Sequence, residues 1–295
     1  AYWIILKSIF SNRKIPKIPP LFVNNKVISN FREKATLFNL HFAKQCSILN
    51  NNSNLPEEII SSMFSLSSVN LKDDKLLNLI RSLDISKSHG HDNISIKMIK
   101  ICDVSIIQPL MIIFGNCLKE GIFPSCWKKT NITPIHKKGH KCDISIYRPI
   151  SFLPICGKLF EKLIYADLYD YLSSNDILDM NQSGFRSGDS CTNQLISITH
   201  EIFKAFDSNP TLEVRGVFLD ISKAFDKVWH EGLVWKLKSY GIQGDILRIL
   251  QSFLNNRYQR VVLNGQSSNW EKVNAGVPQG SILGPLLFFI YINDI

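Results

Sequence analysis

The sequence predicts an α+β fold. Several segments carry apolar residues at helical spacing, and extended apolar runs include a hairpin signal between Val261 and Asn274. Helices and strands follow one another without the regular alternation of a parallel α/β sheet. At 295 residues the chain is long enough for one large domain or two closely packed subdomains. It starts at Ala1 rather than Met and finishes inside the apolar run Leu283 to Ile295, so both ends read as cuts through a longer protein.

Along the chain, Ile15-Pro16-Lys17-Ile18-Pro19-Pro20 denies regular helix and is linker-like. Phe31, Ala35, Phe38 and Phe42 form one helical stripe. Asn50 to Asn54 is a polar loop. Asn70 is a candidate cap for a helix whose inner face is Leu76, Leu77, Ile80 and Leu83. These stripes are core and carry no chemistry. Lys87 to Asn93 is a polar turn. Ile96 to Leu118 reads as one helix, stopped by Gly121 and Pro124. Asn131 to Ile135 is extended and leads into the basic turn Lys137-Lys138-Gly139. Leu159, Phe160, Leu163, Ile164 and Leu168 mark a further amphipathic helix, and Cys191, Leu195, Ile198 and Ile202 another. Val214 to Leu219 reads as a strand delivering Asp220 at its end. Asp226 is placed to cap a helix from Trp229 to Leu237. Val261–Asn264 and Trp270–Asn274 flank Gly265-Gln266-Ser267-Ser268 as a hairpin.

Lys and Arg number 34 against 25 Asp and Glu, a net charge of +9 that favours polyanions such as nucleic acid. The seven cysteines are odd in number and scattered, which argues against a disulfide framework and for reduced, buried, inert thiols in an intracellular protein. His136, His140 and Cys142 lack the second cysteine pair of a zinc site. The longest apolar stretch, Ile282 to Ile292, is interrupted by Gly284 and Pro285 and falls short of the roughly 20 residues of a membrane span. Tyr2 to Ile5 is too short for a signal-peptide core.

Three pieces could carry chemistry. An apolar strand ending in Asp220 would hold a carboxylate rigidly, the oxygen ligand that a hard divalent metal takes beside phosphates; a turn or cap role is the plainer alternative. Gly276-Val277-Pro278-Gln279-Gly280-Ser281 fixes a tight turn whose backbone amides a substrate can approach, or it is simply a loop. Lys137, Lys138 and Arg148 could grip phosphate, or be surface charge.

In order, these pieces resemble the motifs of non-LTR retrotransposon reverse transcriptases, most closely those of jockey-like elements. Thr133-Pro134-Ile135-His136-Lys137-Lys138-Gly139 and Tyr147-Arg148-Pro149-Ile150-Ser151 are similar to the fingers motifs, and Gln182-Ser183-Gly184-Phe185-Arg186 to the next. Leu219-Asp220-Ile221-Ser222-Lys223-Ala224-Phe225-Asp226, trailed by Trp229-His230, resembles motif A. Gly276 to Ser281 with Leu283-Gly284-Pro285 resembles motif B. Lys87-Ser88-His89-Gly90-His91-Asp92 looks like the family's extra N-terminal element, where Pro is commoner than His91.

The resemblance covers Leu71 to Ile295 and implies a right-hand polymerase fold, with fingers and a partial palm over residues 71–295 and a linker and helical N-terminal extension over 1–70. It implies RNA-directed DNA synthesis with two divalent metals, magnesium or manganese, held by three palm carboxylates. Asp220 would be the catalytic metal ligand and Ile221 would offer its backbone carbonyl. Lys137, Lys138 and Arg148 would hold the triphosphate. Phe225 would crowd the sugar 2′ position, and Gln279 and Gly280 would line the nucleotide pocket. The implied partners are an RNA template, a DNA primer and deoxynucleoside triphosphates, with no membrane.

The family's paired aspartates of motif C have no counterpart after Ser281. The chain's one Asp-Asp pair is Asp73-Asp74, far upstream. The expectation is therefore a polymerase stretch that does not polymerise alone. Its rivals are a nucleic-acid-binding relic without chemistry and an unrelated helical scaffold. An intact or a broken downstream reading frame would separate enzyme from relic.

Overall fold

Asn30 starts the first helix, α1 (Phe31–Gln45), because its side chain accepts hydrogen bonds from the Arg32 and Glu33 amides. Glu33 in the first turn and Lys44 in the last complement the helix dipole. The structure, a computed structural model, describes residues 18–23, 26–47, 55, 62–208 and 211–294. The apolar start Tyr2–Ile5, the Ile15-Pro16-Lys17 part of the linker and the Asn50–Asn54 loop lie outside these residues.

Helix α1 covers a sheet. After a small hairpin of β1 (Leu21–Val23) and β2 (Lys26–Ile28), a five-stranded sheet is built from β3 (Lys129–His136), β4 (Tyr147–Phe152), β5 (Arg257–Leu263), β6 (Gln266–Ser267) and β7 (Glu271–Val273). Strand β3 pairs antiparallel with β4 and parallel with β5, while β6 and β7 both return antiparallel onto β5. The hairpin expected around Gly265 forms with a tighter turn than its sequence suggests. Asn264 and Gly265 both take positive φ, and Leu263 already faces Gln266. Phe38, Phe42, Ile132, Tyr147, Val261 and Leu263 form a core between α1 and one face of this sheet.

The larger core is helical. It draws on α2 (Asp73–Ser82), α3 (Ile96–Cys102), α4 (Ile107–Glu120), α5 (Ile155–Ser174), α7 (His230–Ser239), α8 (Gly244–Leu254) and α9 (Leu283–Ile292). Its centre is aromatic: Phe160 stacks on Phe114 at 4.8 Å and meets Phe123 and Trp127. Gly121, in the left-handed conformation, ends α4 as its position predicts.

Several expectations are corrected. Of the thiols expected to be buried, Cys46, Cys117 and Cys156 are, but Cys102, Cys126 and Cys191 are exposed and Cys142 is half-buried. The helix expected from Ile96 to Leu118 is broken into α3, a 3-10 turn at Asp103–Ile106 and α4, with Asp103 at φ 38°. By length and composition the run Ile96–Glu120 is long and apolar enough to cross a membrane, whereas Leu283–Ile292 is a shorter apolar helix. Here α4 instead packs Leu110, Phe114 and Cys117 into the core. Asn70 does not cap α2; Lys72 occupies that position, and the Asn70 amide donates to Asp167.

Residues 212–221 form no strand. The alternation from Val214 to Leu219 suits a β-strand, but a strand exists only through its partner's hydrogen bonds. No described strand lies beside it, and Phe218 and Leu219 are 95% and 87% exposed. The preceding helix, α6 (Cys191–Ser208), forms where its stripe predicts. Its apolar side is uncovered among the described residues, with Leu195, Ile198 and Phe203 exposed.

Candidate nucleotide site

The site is assembled by one loop. Gly276 to Gly280 leaves β7 and runs between two distant segments before α9 begins. On one side the Ser151 amide of β4 donates to the Gln279 carbonyl at 2.8 Å. Gly280 lies so close there that a Cβ would sit 2.7 Å from the Ser151 carbonyl oxygen. On the other side the Gly276 and Val277 amides donate to the Val228 and Phe225 carbonyls, at 2.9 and 2.8 Å. Gly276 takes φ +82°, and a Cβ would meet the Phe225 and Asp226 carbonyls at 2.8 Å. Both glycines are thus required by the close approach of backbones.

Two side chains reinforce the junction. His230, at the start of α7, places Nε2 2.8 Å from the Gly276 carbonyl. A carbonyl only accepts, so that nitrogen carries the proton. Burial pushes the His230 pKa down, which keeps the ring neutral. Gln279 Nε2 donates to Asp226 Oδ1 at 2.9 Å. Burial pushes the Asp226 carboxyl up from the usual range, opposed by the Gln279 hydrogen bond and the charges of Lys223 and Lys227.

Asp226 is therefore not the cap that its sequence position suggests. Trp229 precedes α7 with no side-chain cap, and Asp226 lies in a 3-10 turn, Ala224–Lys227, that turns its carboxylate inward. It lines a narrow pocket with Thr130, Pro149, Ser151, Arg257 and Gln279. The free volume is about 40 Å³, room for water rather than a nucleotide.

Phe225 is half-buried, stacked on Phe288 at 4.7 Å and edge-on to Phe185 at 5.7 Å. Three of the expected residues, Phe225, Gln279 and Gly280, thus come together around one loop. The others lie elsewhere. Lys137 and Lys138 sit exposed after β3, and Arg148 sits opposite Ile135 on the exposed side of β4. They share one hairpin but do not line the pocket, which takes Pro149 and Ser151 from the other face of β4. Asp220 and Ile221 are exposed in the unpaired run and do not line it either.

Residues without a sequence signal hold the site from behind. Glu161 is fully buried, and its Oε2 accepts from the Ile282 and Leu283 amides, capping α9. Burial pushes its pKa up. Arg257 is buried over the Phe253 ring and donates to the Phe253 carbonyl, with Nη2 unpartnered among the described residues. Burial brings its pKa down to about 10. Charged residues are seldom found at such depth, and nothing in the local pattern around Glu161 or Arg257 sets them apart from surface charges.

The family described as reverse transcriptase (RNA-dependent DNA polymerase) matches residues 135–295. The chain is 36% identical over 243 residues to the RNA-directed DNA polymerase from mobile element jockey of Drosophila melanogaster, covering 81% of this chain and 26% of that protein. It is 36% identical over 226 residues to a probable RNA-directed DNA polymerase from transposon BS of the same fly, covering 76% and 25%. It is 29% identical over 217 residues to a putative 115 kDa protein in type-1 retrotransposable element R1DM, covering 72% and 20%. The chain spans about a quarter of the length of the first two.

Proposed function

The chain belongs to the reverse transcriptase (RNA-dependent DNA polymerase) family, in its jockey-like non-LTR branch, and on that premise we propose that it forms the fingers and most of the palm of a retrotransposon RNA-directed DNA polymerase. The reaction is attack of a primer 3′-hydroxyl on the α-phosphate of a deoxynucleoside triphosphate, with pyrophosphate leaving. One observation carries the proposal. Segments around residues 151, 225 and 279, far apart in sequence, are tied by main-chain hydrogen bonds into one junction. The three lie in separate motifs of the family resemblance.

In this proposal Phe225 limits the space at the sugar 2′ position. Gln279 and the exposed Gly280 stand beside the incoming nucleotide, which lies outside the narrow water-sized cavity behind Gln279. Lys137, Lys138 and Arg148 on the β3–β4 hairpin attract the triphosphate and the template backbone, consistent with the net charge of +9. Reverse transcriptase domains generally use divalent metal ions, here magnesium or manganese. Asp220 is a suitable hard oxygen ligand, and the Ile221 carbonyl adjoins it. Among the described residues no three His, Cys, Asp or Glu side chains gather. Asp220 and Ile221 thus supply part of a two-ion site and not the whole of one. By itself the 295-residue stretch is proposed to bind RNA template and DNA primer without extending the primer.

The test uses the full-length polymerase containing this stretch. It should extend a DNA primer on an RNA template from deoxynucleotides, and failure to do so overturns the proposal. Phe225→Ala should raise ribonucleotide relative to deoxynucleotide incorporation by about tenfold or more, because the ring excludes a hydroxyl by contact. Competing incorporation assays read the ratio. An unchanged ratio would leave Phe225 as a packing partner of Phe288 only.

A further inference from the structure

We infer that Asp226 is a positioning residue that fixes which way the Gln279 side-chain amide points. The inference rests on the proposed role of the Gly276–Ser281 loop at the nucleotide, and adds a residue that the motif resemblance gives no part in it.

The argument begins with burial. Asp226 is 5% exposed, although Asp is among the residue types least often buried. Its carboxylate is not spent on a helix cap or, among the described residues, on an ion pair. Its described hydrogen-bond partner is Gln279 Nε2, 53 residues away. A space-filling role would leave the choice between carboxylate and amide open. A carboxylate removes that choice for its partner. The Asp226 oxygen that faces Gln279 accepts from its Nε2, whereas an amide in that place has a donating and an accepting end. Facing Asp226, Gln279 must turn its NH2 inward, so its Oε1 turns away from the carboxylate. Asn in place of Asp could donate or accept, and both amide orientations would then form a hydrogen bond.

The surrounding backbone makes this a question of orientation rather than location. The Gln279 carbonyl is held by the Ser151 amide, and the loop before it is held by the Phe225 and Val228 carbonyls. Main-chain contacts therefore place the Gln279 Cα without help from Asp226. What remains free is the side chain, and Asp226 settles it. The same 3-10 turn carries Phe225, so the ring beside the proposed sugar position and the carboxylate that orients the amide move as one unit.

The experiment combines Asp226→Asn, Gln279→Ala and the double variant. In the full-length polymerase, Asp226→Asn should raise KM for deoxynucleotides about tenfold while kcat stays within about twofold. Gln279→Ala should raise KM at least as much, and adding Asp226→Asn to it should change nothing further, because the two residues act through one contact. Additive effects, or a kcat loss that tracks loss of folded protein, would overturn the inference. A second readout needs no catalysis. In the isotopically labelled 295-residue chain, the Gln279 side-chain amide protons should exchange slowly with solvent, and Asp226→Asn should speed that exchange with little change in melting temperature. Equal exchange in both proteins overturns the inference. This readout stands even if the full-length protein fails to copy RNA, an outcome that would remove the polymerase proposal alone.

Discussion

Replacing Asp220 with Asn in the full-length polymerase should reduce primer extension by more than about a thousandfold, equivalent to roughly 4 kcal/mol of lost transition-state stabilisation. The melting temperature of the 295-residue chain should stay unchanged. An Asn side chain keeps the size and one oxygen but loses the negative charge, and a neutral amide is a poor ligand for a hard divalent cation. Stability should not move because Asp220 is exposed and makes no described hydrogen bond or ion pair within the chain. Surface substitutions of that kind stay within about 0.5 kcal/mol. Magnesium-dependent primer extension and metal-free thermal melts, run on the same variant, separate the two effects. Full activity in Asp220→Asn would sink the assignment of motif A. A large drop in melting temperature would mean that the run 212–221 is held in a packed arrangement.

Phe160→Ala should cost about 3 to 5 kcal/mol of stability, the usual toll for removing a buried aromatic ring whose space is not refilled. Phe160 is completely buried in the N-terminal third of α5, stacked on Phe114 and Phe123 and crossed by Trp127. Aromatic neighbours on three sides leave little that can collapse into the gap. The helix that carries it also carries Glu161, whose carboxylate caps α9 behind the Gly276–Ser281 loop. Loss of the ring should therefore loosen the Gly276–Ser281 loop as well as the core. Chemical denaturation gives the measurement, with Ile113→Ala on the exposed side of α4 as a control expected to cost under about 1 kcal/mol. A loss below 1 kcal/mol for Phe160→Ala would mean that the aromatic cluster is not the centre of the fold.

The parts of this fold that were legible in the sequence are those written in short-range pattern. Phe38 and Phe42 announce α1, Leu159 to Leu168 announce α5, Gly121 announces the end of α4, and Asn131 to Ile135 announces β3. Where a residue's fate depends on a distant partner, local pattern misleads. Asn70 looks like a cap, but its amide belongs to Asp167, 97 residues on. Asp226 looks like a cap for α7, but Gln279 claims it. Val214 to Leu219 has the composition of a strand and no described partner to pair with. The candidate site divides in the same way. Phe225, Gln279 and Gly280 were found through motif order and stand at one junction. Glu161 and Arg257, buried behind that junction, resemble ordinary charged residues until the packing around them is seen.

The unpaired run has a practical consequence for the isolated chain. Val217, Phe218 and Leu219 present three successive large apolar side chains to water, and no described strand covers their backbone donors and acceptors. The exposed side of α6 adds Leu195, Ile198 and Phe203 just upstream. An exposed apolar run of high strand propensity with an unpaired backbone is prone to pair with the same segment of another molecule. Concentration rather than temperature should then set the first limit on keeping the protein dispersed. Light scattering across a dilution series should show association that Phe218→Lys, a charge set in the middle of the run, suppresses. Scattering indifferent to that substitution would place the sticky surface elsewhere.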